Sequence, residues 1–162
     1  MVGKRTESSG RPILDGDGAG RVVTIGVGRT VSIRGLIVRN GVVSGDGPAG
    51  SGGGIRNSGT LTLRDVVVRG DRSTNGGDIS TAGTLVMNGA SVVAFNHAAG
   101  QNGGGIDVDS TDSPASLVMN GQSAVRHKST GDATGNGGGI SIFHAKLTLN
   151  DRATVHHNSA RN

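Results

Sequence analysis

Two aspartates, Asp107 and Asp109, are separated by a single valine in Gly105-Ile106-Asp107-Val108-Asp109. Alternation along an extended strand sends both carboxylates to one face. Such a pair can serve as acid and base in glycoside hydrolysis, or hold a hard cation such as Ca²⁺ through oxygen. His127 and His157 recur in like surroundings, Val125-Arg126-His127 and Val155-His156-His157, where two imidazoles could share a transition metal. Two ligands without a third argue only weakly for a metal centre, and Arg126 and His156 beside them read equally as a basic stripe. Arg69-Gly70-Asp71 is a tripeptide read by some animal cell-surface receptors, although three-residue matches are common by chance. Asp15-Gly16-Asp17-Gly18-Ala19-Gly20 lacks the closing Glu of an EF-hand and the Lys-Ser/Thr of a phosphate loop, so it reads as a turn.

These residues sit in a chain that keeps rewriting one phrase. Gly52-Gly53-Gly54-Ile55 returns as Gly76-Gly77-Asp78-Ile79, Gly103-Gly104-Gly105-Ile106 and Gly137-Gly138-Gly139-Ile140. Each copy is followed by a second phrase: Thr60-Leu61-Thr62-Leu63, Thr84-Leu85-Val86-Met87, Ser116-Leu117-Val118-Met119 and Lys146-Leu147-Thr148-Leu149. Strand-like phrases repeating every 24 to 34 residues mark a solenoid. The expected fold is all-β: a right-handed parallel β-helix of about five coils over residues 13–162, with three short strands per coil and residues 1–12 as a leader or partial cap. The handedness follows from the general chirality of parallel crossovers.

Three interior columns are predicted. They are Ile55, Ile79, Ile106 and Ile140; Leu61, Leu85, Leu117 and Leu147; and Leu63, Met87, Met119 and Leu149. At the corner after the second strand, Asn88, Asn120 and Asn150 should form an amide ladder. A less regular column of Asn40, Gly70, Asn96, Lys128 and Asn158 should close the third strand. In the column of Asp107 the other coils carry Arg56, Ser80 and Ser141, so no acidic cluster continues along the rod. A structural or solvated role is the plain reading of Asp107 and Asp109.

Composition agrees with a thin core. Glycine supplies 31 of 162 residues, against a usual share of about 7%, while aromatic residues make up 1%. A one-dimensional stack buries only a few side chains per coil and needs no thick interior. Disorder, the other account of so much glycine, does not explain Ile and Leu recurring in register. Cysteine is absent, which excludes disulfides and thiolate metal sites. The net charge of +4 is scattered, and without Trp or Tyr there is no stacking platform for nucleic acid, so no nucleic-acid partner is expected. No apolar stretch is long enough to span a membrane, and the first nine residues do not read as a signal peptide.

Ile13-Leu14-Asp15-Gly16-Asp17-Gly18, Val31-Ser32-Ile33-Arg34-Gly35-Leu36-Ile37-Val38-Arg39-Asn40-Gly41 and the Gly-Gly-Gly-Ile…Gly-Thr-Leu-Thr-Leu phrases resemble bacterial parallel β-helix repeat proteins. The likeness is greatest to the polymorphic outer-membrane protein repeat, with its Gly-Gly-Ala-Ile-like phrase and Phe-x-x-Asn. The second signature is degenerate here, as Val93-Ala94-Phe95-Asn96 and Val155-His156-His157-Asn158. The resemblance implies an extracellular or surface-exposed adhesin-like scaffold, a segment of a longer solenoid, with no cofactor. It also implies a carbohydrate or cell-surface receptor as partner. The alternative is a fragment of a polysaccharide lyase or hydrolase of the pectate-lyase-like class, with Asp107 and Asp109 in a groove. Ends without caps predict end-to-end self-association.

Overall fold

The computed structural model describes residues 5–6, 10–74, 76–95, 97–98, 104–110, 114–127, 129–130 and 137–160. The chain winds as a parallel β-helix, and its strands stack coil on coil in three main sheets. The first sheet stacks Val23–Ile25, Ile55–Asn57, Ile79–Thr81, Ile106–Asp109 and Ile140–Phe143. The second stacks Thr30–Arg34, Thr60–Arg64, Thr84–Asn88, Ala115–Met119 and Ala145–Leu149. The third stacks Pro12–Asp15, Ile37–Arg39, Val67–Arg69, Val92–Ala94, Ala124–Arg126 and Thr154–His156. Each coil visits the sheets in that order, which gives the five coils expected from the repeat. Three coils add a two-residue strand to a small fourth sheet: Arg72–Ser73, His97–Ala98 and Ser129–Thr130.

The interior follows from alternation. Ile55, Ile79, Ile106 and Ile140 pair in register, as do Leu61, Leu85, Leu117 and Leu147, and Leu63, Met87, Met119 and Leu149. Val68, Val93 and Val125 add a fourth column from the third sheet. In the central coils these side chains are fully buried. Removing each from water is worth about 1.5–3 kcal/mol, which is the main force holding the tube closed. The glycine phrase has a different cause. Gly53 lies so close to the next coil that a Cβ would stand 2.5 Å from the Arg72 carbonyl oxygen. Glycine is required there because backbones of neighbouring coils touch.

Corners close with left-handed residues. After the second strand these are Gly35, Asp65, Gly89, Gly121 and Asp151, all at positive φ. The predicted amide ladder is present beside them: Asn120 Nδ2 donates to Asn88 Oδ1 at 2.8 Å, and Asn150 Nδ2 donates to Asn120 Oδ1 at 2.7 Å. The column after the third strand differs from the expected one. Arg39, Arg69, Ala94, Arg126 and His156 stand abreast. The next residues in line are therefore Asn40, Gly70, Phe95, His127 and His157, again all at positive φ. Asn158 belongs one place further on, level with Asp71, and Asn96 and Lys128 lie outside the described residues. The difference is one of register: the backbone aligns left-handed corners, not asparagine with asparagine.

At the N-terminal end, Arg5–Thr6 pairs antiparallel with Pro12–Asp15 and turns the edge of the third sheet. Within the long loop before the first Gly-Gly phrase, Gly47–Gly50 forms a single 3-10 turn. Among the described residues no helix is long and apolar enough to cross a membrane.

Candidate functional site

Asp107 lies on the strand Ile106–Asp109 between two residues of the tube wall. Ile106 and Val108 point inward and are fully buried, which sends Asp107 and Asp109 to the outer face. The two carboxylates do share that face, but their surroundings differ. Asp109 is exposed, whereas Asp107 is only 5% exposed. The cover comes from the preceding coil: the main chain at Gly76 rests against the Asp107 carboxylate, leaving no room for a Cβ there. Among the described residues no group donates to Asp107 Oδ1, which is buried. Burial, reinforced by repulsion from Asp109, raises the Asp107 pKa to about 6, and a hydrogen bond from the Ser141 hydroxyl only partly offsets this.

The same face opens into a cleft of about 600 Å³ lined by Asp107, Asp109, Gly137, Ser141, Ile142 and Phe143. Phe143 is level with Asp109 on the next strand and 56% exposed. Its ring meets His144 edge-on, with centroids 4.1 Å apart. A carboxylate short of a donor, a second carboxylate, a hydroxyl and an exposed aromatic face thus converge on one opening. Such a site can accept hydrogen bonds from a ligand rich in hydroxyl or ammonium groups while the ring covers an apolar surface. Phe143 and Ser141 drew no notice in the sequence as site residues, yet both could have been found by following the Asp107 and Asp109 columns one coil onward.

His127 and His157 are brought together, as their like surroundings suggested. Phe95, His127 and His157 form a column of near-parallel rings with successive centroids 4.9 and 5.4 Å apart. Stacked rings carry their nitrogen lone pairs in parallel planes, which suits a ladder better than convergence on one ion. Among the described residues no group of three or more His, Cys, Asp or Glu is placed to hold a metal ion. Partial desolvation, then the charge of Arg126 and the neighbouring His157 and His156, hold the His127 imidazole below its usual pKa.

Arg69-Gly70-Asp71 does fall at a strand end, but its carboxylate faces inward. Asp71 is buried, and its Oδ1 accepts a 2.7 Å hydrogen bond from the Gly41 N–H of the preceding coil. A receptor reading this tripeptide would lack its anionic half. Two further structural groups escaped the sequence. Asp15 accepts from Arg39 Nε at 2.8 Å and from Asn40 Nδ2 at 3.0 Å. Arg21 donates to the carbonyls of Pro48, Ala49, Ser51 and Gly52, fastening the long loop to the rod. Asp15 stands level with Arg39 at the head of a column whose residue types vary, and Arg21 lies outside the repeating phrases, so periodicity gave no signal for either. Comparisons of the chain with known protein families, characterised proteins and solved structures find no match.

Proposed function

We propose that this chain is a non-enzymatic β-solenoid scaffold of a secreted or surface-exposed, adhesin-like protein. In this reading it binds carbohydrate in the cleft of Asp107, Asp109, Ser141 and Phe143. The observation that carries the reading is one open cleft lined by Asp107, Asp109, the Ser141 hydroxyl and the exposed Phe143 ring. Sugar hydroxyls donate to the exposed Asp109 carboxylate, and the Phe143 ring packs on the apolar face of a pyranose. Two carboxylates repel a polyanion, so neutral glycans and amino sugars fit better than uronates. A rigid rod with sites on its outer face needs no cofactor to act this way. The resemblance to the polymorphic outer-membrane protein repeat supports the surface location.

Titration calorimetry of the chain against neutral, amino-sugar and uronate oligosaccharides tests the reading. Binding to the first or second class is expected, weakened roughly tenfold by Phe143→Ala or Asp109→Asn, a loss of about 1.4 kcal/mol. No heat with any neutral or amino sugar would overturn it. A second reading, glycan cleavage with Asp107 as general acid, is favoured by its raised pKa. Turnover of any of these oligosaccharides, abolished by Asp107→Asn, would establish cleavage in place of the scaffold.

A further inference from the structure

The corner after the third sheet has one place without a side chain. Asn40, Gly70, Phe95, His127 and His157 follow one another there, one per coil. Phe95 and His127 stack face to face, with centroids 4.9 Å apart and planes inclined by 6°. The other face of the Phe95 ring looks toward the coil of Gly70, and Phe95 is 60% exposed. Neighbouring coils lie about 4.8 Å apart, so Asn40 and Phe95 are separated by roughly 10 Å. That is twice the spacing at which His127 sits on Phe95. One flat ring therefore fits between them, over Gly70.

The groups around that place suit an anion. Arg69 and Arg72 stand on either side of it in the chain, and both point outward, since Val68 and Ser73 point in. Asp71 between them is turned into the tube, where it accepts from the Gly41 N–H, so its carboxylate does not stand between the two guanidinium groups on the surface. Arg126 lies over the Phe95 ring, with Cζ 5.8 Å from its centroid. Asn40 Nδ2 donates to Asp15, while Asn40 Oδ1 lies 3.3 Å from the point where a Cβ on Gly70 would be. That oxygen is an acceptor at the floor of the open place.

We propose that the place over Gly70 binds an acidic pyranose, carboxylated or sulfated, of a glycan lying against this corner. The apolar face of the sugar stacks on Phe95 and extends the column of rings. Arg69 and Arg72 hold its anionic group, and a sugar hydroxyl donates to Asn40 Oδ1. A nucleic-acid strand fits less well, because it needs successive platforms for its bases. Phe95, His127 and His157 stack on one another at 4.9 and 5.4 Å, too close to admit bases between them. The site lies on a different sheet from the cleft of Asp107 and Asp109 and takes the opposite class of sugar. It stands whether or not that cleft binds neutral glycans.

Titration calorimetry with a galacturonate hexamer and with a sulfated galactose hexamer tests the proposal and shows which acid the site prefers. Binding to at least one is expected, and it should weaken as salt is raised. Gly70→Asn fills the place while keeping the left-handed backbone, which Asn40 already adopts in the coil before. It should weaken binding roughly tenfold, as should Phe95→Asn, which removes the ring and keeps the corner. Phe95→Asn carries the test even where Gly70→Asn fails to fold. Asp109→Asn should not weaken binding of the acidic hexamer, which separates this site from the cleft. No heat with either hexamer would overturn the proposal. So would binding that neither Gly70→Asn nor Phe95→Asn weakens, or tighter binding of a single-stranded oligonucleotide than of both hexamers.

Discussion

Asp107 owes its state to its neighbours. A strand residue on the outer face of a solenoid is ordinarily solvated, but the glycine main chain of the coil before removes water from this one, and Asp109 adds repulsion. A carboxyl whose pKa is raised on folding holds its proton more tightly in the folded chain than in the unfolded one. Its contribution to stability is thus fully present below about pH 3.8 and lost as pH rises through about 6. A shift of that size corresponds to about 3 kcal/mol at pH 8. Asp107→Asn removes the charge without removing the shape. Its stability in urea should match the parent near pH 4 and exceed it by about 1–3 kcal/mol at pH 8. A variant equally destabilised at both pH values would show that Asp107 is held by hydrogen bonds rather than strained by burial. The aspartate pair was legible from spacing alone, because alternation fixes the shared face. The difference between its members was not, since that depends on where the Gly76 main chain runs.

At the scale of the coil, a corner carries the one polar ladder that runs through three coils. The ladder of Asn88, Asn120 and Asn150 links three coils through their side chains, with Asn120 bonded on both sides. Asn120→Ala removes two amide–amide bonds and Asn150→Ala one, so losses of about 2 and about 1 kcal/mol are expected in that order. Equal losses, or a larger one at Asn150, would mean that the ladder follows the backbone instead of fastening it. This ladder could be read from the sequence because Asn-Gly or Asn-Asp directly follows the Leu-x-Met or Leu-x-Leu phrase in the last three coils. The neighbouring corner could not be read the same way. There the left-handed place is held in turn by Asn40, Gly70, Phe95, His127 and His157, residues with no common chemistry. A one-residue slip brings asparagines into line, whereas the true register aligns backbone conformation. Phe95 and His127 tolerate the left-handed backbone in company with the stacking of their rings, a compensation that only coordinates reveal.

For the molecule as a whole, stability runs along one axis. Each coil touches the coil before and the coil after, so the central coils are sealed on two sides and the last on one. Local opening should follow that order. Amides of Thr60–Arg64 and Thr84–Asn88 are expected to exchange with deuterium most slowly, and those of Ala145–Leu149 fastest among the strands of the second sheet. Faster exchange in Ala145–Leu149 than in Thr60–Arg64 would show that the rod opens coil by coil. Equal rates in all five strands of the second sheet would show that it opens as one cooperative unit. Deuterium exchange thus distinguishes a stack held by nearest neighbours from a single indivisible core.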